Sequence, residues 1–168
     1  MNERKESTTS IILEYVRVIV LTVIATFIFL QFVQISRVNG SSMENTYFQN
    51  NIVLIDKVFY KHSQPKRNDI IIVDYDDGLD DTLIIKRVVA VGGDHLDIKN
   101  NEVYINGKKI KENYIKENMN TEDLSFDIQK GKVFVMGDNR NNYLDSRKLG
   151  YFDFDNDVIG KVFFKIPL

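Results

Sequence analysis

An apolar run near the N-terminus sets the first constraint on this chain. Residues 18–30 read Val-Ile-Val-Leu-Thr-Val-Ile-Ala-Thr-Phe-Ile-Phe-Leu, almost all aliphatic or aromatic. Taken as residues 11–35, the segment gives a helix long enough to cross a hydrocarbon layer of about 30 Å at about 1.5 Å per residue. Glu14 and Arg17 lie one turn apart near one end, placed to pair and to snorkel toward the interface. A cleaved secretory leader is the competing reading, but residues 31–36, Gln-Phe-Val-Gln-Ile-Ser, offer no small-x-small cleavage site. The segment is therefore expected to remain as a membrane anchor, with residues 1–10 as a short tail and residues 36–168 as a separate domain. Arg4, Lys5 and Arg17 on one flank outnumber Arg37 on the other, which favours a cytoplasmic N-terminus and an extracytoplasmic domain.

Composition narrows the chemistry. A chain of 168 residues holds one compact domain beside the anchor. Its 22 basic and 24 acidic side chains are interspersed and give a net charge of -2, so it has no basic field to hold nucleic acid. The absence of cysteine removes thiol catalysis, disulfides and Cys-based zinc sites together.

Beyond Arg37 the helix-length pattern gives way to short β-branched runs separated by turn residues. Strands are expected over 51–59, 69–75, 82–91, 95–98, 102–105, 108–110, 132–136 and 158–164. Gly92-Gly93 ends the third, and Asn106-Gly107 forms a tight hairpin turn. Residues 111–127 stay open between a short helix and a loop. The expected fold is mainly β: a transmembrane helix followed by a coiled, partly barrel-like sheet with a small hairpin-containing insertion.

Three segments are richer in polar residues than strand packing requires. Residues 39–46, Asn-Gly-Ser-Ser-Met-Glu-Asn-Thr, follow the anchor, and Gly40 permits a tight turn that leaves amide groups free to serve as an oxyanion site beside a hydroxyl. Read alone, they also fit an ordinary serine-rich turn. Residues 83–89, Leu-Ile-Ile-Lys-Arg-Val-Val, place two charges inside an apolar strand. Alternation sends Lys86 and Arg87 to opposite faces, so at least one is covered, and a desolvated lysine is a neutral base at physiological pH. A surface strand with a snorkelling stem is the plainer alternative. Residues 136–147 crowd Asp138, Asn139, Asp145 and Arg147 into one loop, with Asp145 and Arg147 expected to pair and Asp138 and Asn139 to tie down backbone amides. His62 and His95 lack carboxylates at metal-ligand spacing, residues 74–81 lack the final glutamate of a calcium loop, and Asp153, Asp155 and Asp157 suit the wet face of a strand edge. No metal or cofactor is implied.

Together and in order, these segments resemble the type I signal peptidases of bacteria, in their short Gram-positive-like form. The family pattern of an anchor helix, Gly-x-Ser-Met-x-Pro-Thr, a strand with Lys-Arg, and Gly-Asp-Asn-x-x-x-Ser-x-Asp-Ser-Arg corresponds to residues 40–46, Lys86-Arg87 and residues 137–147. The resemblance implies a membrane-bound endopeptidase that removes signal peptides from secreted preproteins after small residues. It implies Ser42 as nucleophile, Lys86 as general base, and Gly40, Asp145, Ser146 and Arg147 as oxyanion and site support. Ser36, Val38 and Ile85 would shape the pockets for the -1 and -3 side chains, and signal peptides and the lipid bilayer are the implied partners. Asn45 stands where the family has proline, which is expected to loosen the turn after Met43. Tyr143 stands where it has serine, so the Ser146 hydroxyl or a backbone carbonyl is expected to orient the lysine instead. A self-cleaving repressor-type protease with the same dyad is a rival without need of an anchor. A catalytically weak homologue acting as a binding module in pilus or envelope assembly is the rival from another class.

Overall fold

The computed structural model describes residues 8–76, 81–142 and 144–167. Helix α1, Thr8–Phe32, has 25 residues and is about 37 Å long at 1.5 Å per residue. None of its residues is buried, and Val18, Leu21, Ile24 and Phe27 are each at least half exposed. A helix that is apolar over most of its length and has no buried residue suits hydrocarbon rather than water. Thr22, inside the helix, donates to the Val18 carbonyl at 2.8 Å, which satisfies the group within the helix. Glu14 and Arg17 form no ion pair with each other among the described residues.

The helix stops at Phe32 rather than continuing to Ile35. Val33–Arg37 is strand β1, paired antiparallel with β2, Ile52–Asp56, from Val33 opposite Asp56 to Arg37 opposite Ile52. Val33 and Ile35 of β1 are β-branched, and a ladder partner satisfies its backbone as well as a helix would. Phe32 stacks on Phe59 with ring centroids 5.4 Å apart, and the Lys57 N–H donates to the Phe32 carbonyl. These contacts seat the helix end on the domain.

The further strands are β3 (Ile70–Asp76), β4 (Asp81–Val91), β5 (His95–Lys99), β6 (Glu102–Ile105), β7 (Lys108–Lys109), β8 (Leu124–Asp127), β9 (Lys132–Met136), β10 (Phe152–Asp153) and β11 (Val158–Ile166), with a single-turn helix α2 (Ser146–Leu149) before β10. They make two sheets, one ordered β1-β2-β11-β3-β4-β9-β10 and a smaller one ordered β7-β6-β5-β8. The mainly β expectation holds, and the large sheet is folded but open, with β1 and β10 at its edges and no closed barrel. The smaller sheet is the hairpin-containing insertion between β4 and β9. Residues 111–127 form a loop that ends in β8, because Leu124–Asp127 finds a partner in β5.

Strand alternation decides what reaches the site. Ile84 and Val88 enter one core cluster with Ile71, Val73 and Val135. Ile85 enters another with Val38, Met43, Tyr47, Ile55 and Ile72. Both faces of β4 are thus covered, so Lys86 and Arg87 are both buried, at 2% and 7% exposure. This goes further than the expectation that at least one would be.

Candidate active site

Gly40 has φ 100°, a left-handed conformation that glycine adopts without penalty. Its own amide is not free as expected, since it donates to Gln49 Oε1 at 2.6 Å. The Ser42 N–H has no acceptor among the described residues. Beyond it the chain tightens into turns, with Glu44 N–H donating to the Ser41 carbonyl and Tyr47 N–H to the Met43 carbonyl. Met43, 1% exposed, plugs into the core beneath, which leaves the neighbouring Ser42 half-buried at the surface. An unbranched, polarizable side chain is well suited to fill that hole.

Ser42 and Lys86 line the same cleft, of about 270 Å³, together with Gly40, Ser41, Leu83, Ile85 and Leu144. Burial pulls the Lys86 amine down to about 8, the nearby Asp145 carboxylate works against this, and the Arg147 guanidinium adds to it. Asp145 is itself fully buried. It accepts from Arg147 Nε at 2.9 Å and Nη2 at 2.7 Å, from the Arg147 N–H at 3.1 Å, and from the Gly137 N–H at 3.3 Å. With its charge matched by Arg147, Asp145 offsets only part of the effect of burial on Lys86, and desolvation prevails. Asp145 also caps α2. The Ser146 hydroxyl accepts from the Val135 N–H at 2.9 Å, tying α2 to β9. Tyr143 lies outside the described residues.

The loop after β9 holds the two halves of the cleft in register. Asp138 and Asn139 do not form local Asx turns as expected. Asp138 takes Arg87 in a two-pronged pair, Nε at 2.8 Å and Nη2 at 2.6 Å. Asn139 reaches the serine turn, its N–H donating to the Ser42 carbonyl at 2.9 Å and its Nδ2 to the Ser41 carbonyl at 3.2 Å. Gly137 packs so closely on that turn that an added Cβ would lie 2.5 Å from the Ser42 carbonyl oxygen. Both partners are backbone, so the serine loop must move. Gly137→Ala is therefore expected to lower peptidase activity by at least tenfold, with overpacking of about 1–3 kcal/mol as its cause. Steady-state rates beside a thermal melt check this, and an alanine variant as active as wild type would show that the contact does not position Ser42.

Ser36, Val38 and Ile85 line a neighbouring pocket of about 140 Å³ that also takes in Val53, Ile55, Ile72 and Leu83. Leu83 and Ile85 line both cavities and join them. Leu83, Ile55 and Ile72 were hidden in the sequence among ordinary strand residues. Only the register of Val73 opposite Ile84 and of Ile35 opposite Leu54 places these strands around one hollow. A larger cleft, about 640 Å³, is elsewhere. Exposed Lys61, His62 and Lys130 line it, and its Ser63 hydroxyl is spent on the Tyr60 carbonyl. His95 sits on the small sheet between Asp127 and Asp97. Among the described residues no cluster of His, Cys, Asp or Glu has metal-binding geometry.

Asn45 is no loosened substitute for proline. It has φ 90°, and its Nδ2 donates to the carbonyls of Tyr114 at 3.1 Å and Ile115 at 3.3 Å. A proline, fixed near φ -65°, cannot take this conformation.

Residues 12–166 match the sequence model of a family described as signal peptidase, peptidase S26. Signal peptidase I P of Bacillus subtilis subsp. natto is 31% identical over 172 aligned positions, covering 95% of this chain and 91% of that one. Signal peptidase I U of Bacillus subtilis strain 168 is 36% identical over 132 positions, covering 73% and 70%. The crystal structure of a signal peptidase I from Enterococcus faecalis V583 superposes with a TM-score of 0.51 at 26% identity, over 60% of this chain and 98% of that one.

Proposed function

The chain belongs to the signal peptidase family, peptidase S26, and is a membrane-bound serine peptidase that removes signal peptides; we propose that it does so with Ser42 as nucleophile and Lys86 as general base. The observation that carries the assignment of residues is a buried lysine of lowered basicity lining one cleft with a half-buried serine. A serine hydroxyl needs a base to become nucleophilic, and a neutral amine suffices without histidine or aspartate.

The neutral Lys86 amine removes the Ser42 hydroxyl proton as Oγ bonds to the scissile carbonyl carbon. The carbonyl oxygen takes up the negative charge and is met by the Ser42 N–H, an amide left without another acceptor; such a donor is worth about 2.7–4 kcal/mol in other enzymes. As the tetrahedral centre collapses, the Lys86 ammonium gives its proton to the leaving amine of the mature chain, and the signal peptide remains as an ester on Ser42. Lys86, neutral again, deprotonates a water that attacks the ester, and the released Ser42 oxygen recovers its proton from Lys86. Asp145 and Arg147 keep each other's charge in place beside the amine, and Ser146 anchors the helix that carries them.

The -1 and -3 side chains of the substrate enter the cavities shaped by Ser36, Val38 and Ile85. Helix α1 is the anchor, residues 33–168 are the catalytic domain, and the excess of basic residues before residue 18 puts the N-terminus in the cytoplasm. A substrate whose own apolar segment lies in the bilayer is then met at high effective concentration. The test is a preprotein with alanine at -1 and -3 presented in vesicles that carry the protein. It should be cut when the domain faces the substrate's exported side, as read by protease protection, and spared when leucine replaces either alanine. Equal cutting of the leucine forms would contradict the pocket assignment.

A further inference from the structure

A strap of residues 112–116, within the loop before β8, docks on both halves of the cleft although it lies in none of the three polar segments. Its Tyr114 ring lies under the Arg87 guanidinium, 3.9 Å from centroid to Cζ, and its Tyr114 and Ile115 carbonyls take the Asn45 amide. Glu112 receives the fully buried Arg140 in a bidentate pair at 2.9 and 2.6 Å, and Arg140 Nε donates to the Gly137 carbonyl at 2.9 Å. The Tyr114 hydroxyl donates to Glu112 at 2.9 Å. The Lys116 N–H donates to the Asp138 carbonyl at 2.9 Å, and its amine pairs with Glu44 at 2.6 Å. One short segment thus touches the residues after the nucleophile (Glu44, Asn45), the residue after the base (Arg87) and the loop that joins them (Asp138, Arg140).

On the reading that Ser42 and Lys86 form the dyad, we propose that Asn45, held by the strap at Tyr114, is a positioning residue for catalysis that does by a left-handed turn and a side-chain clamp what proline does by ring rigidity in relatives. Asparagine is among the few non-glycine residues that enter the left-handed region readily. Its two hydrogen bonds to strap carbonyls are the added constraint, because an exposed turn without them has other conformations to visit. The clamp acts on the orientation of Ser42 and leaves the -1 and -3 pockets untouched, since among the described residues no hydrogen bond or ion pair joins their lining residues to the strap. Its signature is a change in turnover and not in substrate affinity.

The test uses the full chain in vesicles or detergent and a single signal-peptide substrate, with Ser42→Ala run first. Cleavage that does not depend on Ser42 would mean that the dyad reading has failed, whatever Asn45 does. With that dependence established, Asn45→Pro should lower kcat by about a hundredfold or more, because the required φ is closed to proline. Asn45→Gly keeps the φ and loses only the clamp, and should lower kcat by about tenfold, the worth of two modest hydrogen bonds. KM and the midpoint of the pH profile should stay within about twofold and about 0.3 pH units of wild type, which a general loosening of the fold would not respect. An Asn45→Pro variant as active as wild type, or an Asn45→Gly loss that falls on KM, would overturn the proposal. If Asn45→Pro does not fold, the kcat of Asn45→Gly decides alone, and wild-type turnover there also refutes it.

Discussion

Ser42→Ala and Lys86→Met are each expected to reduce cleavage of a preprotein by on the order of 10³-fold or more, whereas Ser41→Ala stays within about threefold of wild type. The two serines are adjacent, similar in exposure and line the same cleft, so what separates them is the position immediately before Met43. Ser41 gives its carbonyl to Asn139, a bond that alanine retains. Ser42 immediately precedes Met43, whose side chain is buried in the core, and its own carbonyl takes the Asn139 N–H. Rates measured on protein shown to be folded by circular dichroism check this, and equal losses at Ser41 and Ser42 would remove the assignment.

The second large effect is on pH. The Lys86 amine must be neutral to act, and burial lowers it to about 8. Activity at low substrate should therefore rise with pH and level off above that value, with a rate at pH 6 about a hundredfold below the plateau. A profile still climbing near pH 10 would mark an ordinary exposed lysine. Stability responds with a definite sign. Below pH 8 the folded protein holds a buried ammonium that the unfolded chain solvates freely, and this cost is complete. Between about pH 8 and the normal lysine value of 10.5 the unfolded chain binds more protons than the folded one, so stability rises with pH. Lys86→Met should thus stabilise the fold at pH 7 by on the order of 3 kcal/mol, a gain that shrinks as the pH approaches 10.5. Denaturant melts of the two proteins at pH 7 and pH 10 measure the difference. A Met variant less stable at pH 7 would show that the lysine is not held against its solvation.

Each sequence motif announced a residue type, and the fold supplied its partner. Lys-Arg within an apolar strand was legible because period-two alternation cannot hide two adjacent charges on one wet face. The partner of Arg87 was not, because Asp138 is 51 residues away and only the pairing of Arg87 opposite Met136 brings the loop after β9 over that side chain. Asp138 and Asn139 were read as local turn formers, the usual role of such residues, and proved to be long-range clamps. The first residues of strand β1, 33–35, read as the end of the anchor, because an apolar run carries no mark where water begins and only β2 tells Val33 to leave the helix.

The amino-acid sequence by itself determined the anchor, the β-rich domain behind it, and the three segments in which chemistry resides, because hydrophobic period, turn chemistry and misplaced polar residues are local properties. The meeting of Ser42 and Lys86 in one cleft, the burial that lowers the lysine, and the conformation of Asn45 were decided only in the tertiary structure. Each depends on contacts between residues dozens of positions apart: desolvation is a property of what surrounds a group, and a left-handed turn endures only where a neighbour such as the Tyr114 carbonyl holds it.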